Sequence, residues 1–186
     1  MGRNLILNRA VFLDRDGVIN KAIVRNGKPY PPAGAHETVI VPDAELALSR
    51  LKQHGFLLVV VTNQPDVARQ TVSRDVVEGI HQFLSSQLPL DDFFVCFHDD
   101  KDKCDCRKPL PGLLLRAAAK HRLDVKGSYL IGDRWRDIEA GVAAGCRTIL
   151  IDYHYNERSA ANRADGNVSS LSEAVDWIMK RETESN

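Results

Sequence analysis

Four short polar clusters, far apart in a chain of 186 residues, carry side chains that could do chemistry together. Asp14 and Asp16 follow the apolar run Ala10-Val11-Phe12-Leu13 and precede Gly17. Thr62 and Asn63 close a second apolar run that begins at Phe56. Arg107-Lys108-Pro109 follows a stretch rich in cysteine, and Asp133 and Asp137 follow Ser128-Tyr129-Leu130-Ile131-Gly132. Two carboxylates two residues apart can hold a divalent cation while one oxygen attacks phosphorus or positions a proton. A lone Asp-x-Asp-Gly is more often a solvated strand-to-turn junction. The joint placement of four clusters is what that simpler reading leaves unexplained.

Phosphoryl transfer is the chemistry that fits them. Asp14 is the expected nucleophile, forming an aspartyl-phosphate. Mg²⁺ prefers oxygen ligands, and Asp14, the backbone carbonyl of Asp16 and Asp133 are expected to supply them. The Asp16 side chain is then free to protonate the leaving oxygen and afterwards to activate water. The Thr62 hydroxyl, with Asn63 and nearby backbone N–H groups, and the Lys108 ammonium would neutralise charge on the phosphoryl oxygens. Asp137 would hold Lys108 or a water on the metal.

The elements that must position these groups alternate between strand and helix. Ala10–Leu13, Phe56–Val61, Phe93–Cys96, Ser128–Ile131 and Arg147–Asp152 read as five buried strands. Between them lie helical patterns: Ala44, Ala47, Leu48 and Leu51 after Pro42-Asp43; Val76 to Leu84 after a Ser73 cap; Leu113–Leu123 after Pro111; and Asp137–Ala144, stopped by Gly145. Ser170-x-x-Glu173 is a capping box for a last helix, with Ala174, Trp177 and Ile178 turned inward. Residues 21–41 and 153–167 read as loops, the first well placed to cover a substrate. Alternation of this kind predicts an α/β, three-layer, Rossmann-like sandwich with a mainly parallel sheet in one domain spanning 1–186. In such a sheet all four polar clusters project toward one edge.

Cys96-x-His98 and Cys104-x-Cys106 place three thiols and an imidazole on one short loop. A closed set of four such ligands suits structural Zn²⁺, which would tie a loop too short and polar to have its own core. Zinc there would also fix Arg107 and Lys108 beside the phosphate. Cys146 stands apart and reads as a core or surface thiol.

Asp14-x-Asp16-Gly17, Thr62-Asn63, Lys108 and Gly132-Asp133-x-x-x-Asp137 resemble the four motifs of the haloacid dehalogenase-like phosphatases, over roughly residues 10–150. The resemblance implies a Rossmann-like fold, Mg²⁺ dependence, and Asp14 and Asp16 as nucleophile and acid/base. The Cys-x-His and Cys-x-Cys-Arg-Lys-Pro pattern narrows it to the zinc-loop subgroup without a large cap domain. That subgroup holds heptose bisphosphate phosphatases and histidinol-phosphate phosphatases. Val61-Thr62-Asn63-Gln64 with Ala68-Arg69, and Lys108-Pro109-Leu110-Pro111-Gly112, resemble the heptose branch. The implied reaction is hydrolysis of the 7-phosphate of D-glycero-D-manno-heptose 1,7-bisphosphate, with histidinol phosphate or another small sugar phosphate as the alternative. Phe97, Pro65-Asp66 and Gln70 depart from the usual residues, and the 21–41 loop, with Arg25, Lys28, Tyr30 and His36, is longer than usual.

Arg69 and Arg107 are further candidates for a second phosphate or sugar hydroxyls, and Arg134 can face the same site. The remaining histidines and both tryptophans carry no motif and read as surface or packing residues. Lys plus Arg equals Asp plus Glu at 25 each, so overall charge favours neither nucleic acid nor membrane. No apolar run is long enough to span a bilayer. Asn8 and Arg9 interrupt the N-terminal apolar run against a signal peptide, and Ile6 breaks a myristoylation pattern at Met1-Gly2. A cytoplasmic monomer acting on a small phosphorylated sugar is therefore expected. A phospho-accepting receiver domain fits less well, because a second acid follows Asp14 by two residues.

Overall fold

In chain order the strands are β1 (Arg9–Leu13), β2 (Ile23–Arg25), β3 (Lys28–Tyr30), β4 (Phe56–Asn63), β5 (Asp92–Cys96), β6 (Tyr129–Gly132), β7 (Arg147–Ile151) and β8 (Gly166–Val168). The helices are α1 (Ala44–Gln53), α2 (Arg74–Gln87), α3 (Gly112–His121), α4 (Trp135–Ala144) and α5 (Leu171–Glu184). The computed structural model describes residues 7–184; the readings that rest on Met1-Gly2 and Ile6 lie outside them.

Six strands form one sheet in the order β5-β4-β1-β6-β7-β8, every neighbouring pair parallel. The chain moves outward from β1 to β4 and β5, then crosses back to β6 on the other side of β1. Where the order reverses, the loops leaving neighbouring strands part and open a crevice at the C-terminal edge. Asp14 sits at that point.

Side chains alternate between the two faces of the sheet. Val11 and Leu13 of β1 pack with Leu48 of α1, Ile80 of α2 and Ile178 of α5. Ala10 and Phe12 pack with Leu113 and Ala117 of α3 and Ala140 of α4. Burial on both faces is why β1, β4 and β6 read as unbroken apolar runs rather than alternating ones. No helix among the described residues is long and apolar enough to cross a membrane.

Three short strands lie outside the five predicted from sequence. The 21–41 segment, predicted as irregular loop, contains the β2–β3 hairpin. Asn26 and Gly27 at its turn both have positive φ, 53° and 72°. Tight two-residue hairpin turns demand this, and Asn-Gly supplies it. The nearby prolines obscure that signal, since Pro argues against a strand. The 153–167 loop gives way at Gly166 to β8, which has too little apolar sequence to announce itself. α4 starts at Trp135, earlier than predicted, and α3 ends at His121, before Leu123. The caps follow sequence closely. Ser73 Oγ accepts from Val76 N at 3.3 Å, and Ser170 Oγ from Glu173 N at 3.2 Å. Glu173 reaches back to Ser169 N, one residue beyond the box.

The inner face of α2 is not wholly apolar. His81 is 9% exposed, its ring stacked on Phe93 with centroids 4.6 Å apart. Its Nε2 lies 3.2 Å from Nη1 of the fully buried Arg15. A guanidinium only donates, so the imidazole accepts and is neutral. Burial, then the Arg15 charge, push its pKa from 6.5 down to about 4, with Asp16 opposing. A group depressed in this way stabilises the fold fully above the unfolded value, and that contribution is lost as pH falls toward the folded one. Between neutral pH and about 4, the wild-type chain should lose on the order of 3 kcal/mol more stability than a His81→Gln variant, which keeps an acceptor for Arg15 but does not titrate. Urea unfolding across that range measures the difference, and parallel pH profiles for the two chains would contradict it.

Candidate active site

Past the end of β1 the chain turns sharply, and the Arg15 carbonyl accepts from the backbone N–H groups of Val18, Ile19 and Asn20. Gly17 takes φ 92°, and a Cβ there would lie 1.9 Å from Asp133 Oδ2. Only glycine lets this turn pass so close to the end of β6. Asp14 is thereby brought beside Asp133, although more than a hundred residues separate them.

Lys108 joins the clusters. It is 2% exposed, and its ammonium lies 2.7 Å from Asp14 Oδ1, 2.5 Å from Asp137 Oδ1 and 2.8 Å from the Val61 carbonyl. Burial works against its charge, but Asp137 and Asp14 outweigh it and raise the pKa above the ordinary lysine value. Its backbone is gripped by Asn63, whose Nδ2 donates to Lys108 O at 3.0 Å while Lys108 N donates to Oδ1 at 3.1 Å. Asn63 was expected among the phosphate-binding groups; its amide is instead spent on positioning Lys108. The Asp137 carboxylate accepts twice, from Lys108 and, through Oδ2, from Arg134 N at 3.1 Å. α4 sits so close to β6 that a Cβ on Gly132 would fall 2.1 Å from Asp137 Cβ.

Asp16 is held by residues that sequence reasoning missed. Arg15 donates to it through Nε and Nη2 at 3.1 and 2.9 Å, Asn20 at 3.0 Å and Gln64 at 3.0 Å. Burial pushes its pKa up, but the Arg15 charge and these hydrogen bonds outweigh it and hold the carboxyl below the usual range. Gln64 Nε2 also donates to Thr62 Oγ1 at 3.0 Å, so one amide links the ends of β1 and β4. The flanking of Asp14 and Asp16 around a single arginine is the local signal for Arg15; nothing local points to Gln64.

Asp14, Asp16, Thr62, Asn63, Lys108 and Asp137 line one cleft of about 310 Å³, roofed by Lys28 and Tyr30 of the β2–β3 hairpin. Arg69, Arg107 and Arg134 line it too. Arg69 is paired with Asp99 at 2.6 Å and Asp66 at 3.3 Å, Arg107 with Asp100 at 2.8 Å, and Arg134 with Glu157 at 2.5 Å. Gln70 keeps a left-handed backbone, φ 60°, of the kind a glycine would favour.

The acidic end fits a divalent cation. Carboxylate oxygens of Asp14, Asp133 and Asp137 lie within 4.8 Å of one another. Asp133 is 4% exposed, and neither of its oxygens has a hydrogen-bond partner among the described residues. Burial, then the charges of Asp14 and Asp137, push its pKa well up; the nearby Tyr155 hydroxyl opposes this slightly without closing a hydrogen bond. Burial and Asp137 likewise raise Asp14 to about 6, against the pull of Lys108. Buried carboxylate oxygens without donors suit a hard cation that takes oxygen ligands. Asp137 has spent both oxygens, which leaves Asp14 and Asp133 as the side-chain donors.

The cysteine cluster lies behind Lys108. Ligand atoms of Cys96, His98, Cys104 and Cys106 all lie within 4.8 Å of one another. Sulfur–sulfur spacings of 3.1, 3.6 and 3.7 Å approach the edge of about 3.8 Å expected for tetrahedral thiolates on zinc. Cys96 pairs with Asn63 in the β4–β5 register, so the cluster backs the residue that grips Lys108. Cys146 is buried elsewhere, its thiol near the Gly141 carbonyl.

A family model described as HAD-hydrolase-like matches residues 105–174. A D-glycero-beta-D-manno-heptose-1,7-bisphosphate 7-phosphatase from Escherichia coli K12 is 34% identical over 187 residues, covering 93% of this chain and 95% of that protein. One from Bordetella bronchiseptica is 32% identical over 151 residues, covering 77% and 80%. Among solved structures, a D,D-heptose 1,7-bisphosphate phosphatase from B. bronchiseptica, complexed with magnesium and phosphate, superposes with a TM-score of 0.80 at 26% identity, covering 93% of this chain and 99% of that one. With such identity across nearly the full length of the Escherichia coli relative, and with this sheet order and polar edge, the chain belongs to the haloacid dehalogenase-like phosphatases, hydrolases of phosphoric monoesters.

Proposed function

We propose that this chain is a Mg²⁺-dependent phosphatase that removes the 7-phosphate of D-glycero-D-manno-heptose 1,7-bisphosphate through a phosphorylated Asp14. The observation that carries the reading is the meeting of Asp14, Lys108 and Asp137 in one buried charge cluster beside the unpartnered Asp133. Substrate and metal are carried over from the relatives, whose names favour the heptose reading over histidinol phosphate. The whole chain, 1–186, would work as one domain and a monomer, on a small phosphorylated sugar and not on nucleic acid or membrane.

Lys108 holds Asp14 by one carboxylate oxygen, which leaves the other directed for attack. That oxygen forms a bond to phosphorus as the bond from phosphorus to the sugar oxygen breaks. Asp16 gives its proton to the departing sugar oxygen. The resting Asp16 is ionised, but a phosphate dianion arriving beside it favours its protonated form. In the second half Asp16, again a carboxylate, takes a proton from water. That water attacks phosphorus, the bond to Asp14 breaks, and phosphate leaves. Thr62, oriented by Gln64, can donate its hydroxyl proton to a phosphoryl oxygen, because the amide occupies its lone pair. Mg²⁺ held by Asp14, Asp133 and the Asp16 carbonyl would neutralise charge on the phosphoryl group and relieve the crowding of carboxylates. Arg107 would contact the rest of the substrate, whereas Arg69 and Arg134, expected there too, are tied to Asp99 and Glu157.

Zn²⁺ on Cys96, His98, Cys104 and Cys106 would be structural, since four protein ligands leave no place for a reacting water. It would hold the loop that leads into Arg107 and Lys108.

Two experiments test this. In a panel containing Mg²⁺, heptose 1,7-bisphosphate should be the best substrate by kcat/KM. Asp14→Asn should lower kcat by at least about a thousandfold with an unchanged circular dichroism spectrum. Faster turnover of histidinol phosphate would sink the sugar assignment, and an unaffected kcat would sink the role of Asp14. For the metal, gently purified protein should carry about one zinc per chain by elemental analysis. Cys104→Ser should lose that zinc and lower Tm by several degrees. Zinc-free wild-type protein with an unchanged Tm would contradict the ligand assignment.

A further inference from the structure

Lys28, Arg107 and Arg136 line the cleft together, and among the described residues only Asp100 pairs with any of them, through the two arginines. We infer that these three cations hold the second phosphate of a bisphosphorylated substrate, and that Lys28 and Arg136, which belong to none of the four motifs, set the preference for it. The inference rests on the sugar-bisphosphate reading and names the residues that would select such a substrate.

The other cations of the cleft are spent. Lys108 is shared by Asp14 and Asp137, Arg134 is paired with Glu157, and Arg69 with Asp99 and Asp66. At the mouth the balance is different. Arg107 Nε lies 2.8 Å from Asp100 Oδ1, and Arg136 reaches the same oxygen only at 3.7 Å. The Arg136 guanidinium otherwise lies over the Trp135 ring, 4.8 Å from its centroid, which leaves its edge free to donate. Lys28 lines the cleft from the tip of the hairpin and has no ion pair among the described residues. Asp100, with its side chain 63% exposed, is well hydrated and can yield an arginine to a better acceptor.

Three positive charges facing one negative charge leave room for a phosphate dianion. The buried end is the reverse, with three carboxylates around one ammonium. Arg107 adjoins Lys108 in sequence and Arg136 adjoins Asp137, and the two arginines line the same cleft as that buried pair and reach one common carboxylate, Asp100. A sugar with one phosphate at Asp14 would present its far end to them. A guanidinium fork matches phosphate oxygens, and a lysine on a hairpin adds a point charge that follows the ligand.

The test uses matched bisphosphate and monophosphate pairs: the heptose 1,7-bisphosphate with its 7-phosphate, fructose 1,6-bisphosphate with fructose 6-phosphate, and glucose 1,6-bisphosphate with glucose 6-phosphate. On any pair that is hydrolysed, wild-type protein should favour the bisphosphate by about tenfold or more in kcat/KM, and less so at high salt. Arg136→Gln and Lys28→Gln should each raise KM for the bisphosphate about three- to tenfold, with kcat within about twofold and the monophosphate kinetics unchanged. Equal effects on both members of a pair, no effect on either, or no wild-type preference would overturn the proposal. Hydrolysis of another pair but not the heptose pair would overturn only the heptose assignment, and the mouth would be judged on the pair that reacts. Hydrolysis of none would overturn both.

Discussion

A buried ammonium sets the shape of this site. Lys108 has been taken out of water, which costs several kcal/mol, and the loss is offset only if each of its protons finds a close acceptor. Asp14, Asp137 and the Val61 carbonyl supply all three, from the turn after β1, from α4 and from β4. The three elements meet where the strand order reverses, so the sheet topology and the lysine specify the same point. Lys108 is itself fixed from behind. Asn63 pairs with its backbone, and Cys106, two residues earlier, lies in a cluster with Cys96, the register partner of Asn63. The cysteine cluster and the position of the ammonium are mechanically linked through three adjacent segments.

Charge along the cleft runs in one direction. The buried end is lined by Asp14 and Asp137, with Asp133, whose oxygens have no donor, just behind them, and it calls for a cation. The mouth holds guanidinium and ammonium groups in excess and calls for an anion. Asp16 lies between them but is kept apart electrostatically by Arg15, whose charge is in turn insulated from the core by the neutral His81. The hairpin adds a side to the cleft that the sheet alone does not provide, and it carries Lys28 and Tyr30 there.

Much of this was legible in the chain. Alternating apolar runs and helical patterns fix a parallel sheet, and a parallel sheet sends the residues after each strand to one edge. Asp14, Thr62, Lys108 and Asp137 could therefore be grouped without coordinates, and the paired cysteines gave their own cluster. Asp137 had two roles open to it in the sequence, holding Lys108 or a water on the metal, and the structure shows it on Lys108. Contacts whose partners lie on other elements were not legible: Gln64 between Asp16 and Thr62, His81 under Arg15, Asn63 along the Lys108 backbone. No local pattern encodes which groups will face each other across a fold. Arg136 was missed for the same reason, since on a helix it resembles any solvated charge. The β2–β3 hairpin is a different case, because Asn26-Gly27 announced it and the surrounding prolines masked it.

The most direct test of the buried charge cluster is a double-mutant cycle on stability, with Lys108→Met, Asp137→Asn and the double variant unfolded in urea at neutral pH. Residues in one buried ionic network should couple, and an interaction energy of at least about 2 kcal/mol is expected, the double variant being far less destabilised than the two single changes together. Additive effects, within about 0.5 kcal/mol, would contradict the claim that this lysine is held by its carboxylates and that the site is organised around it.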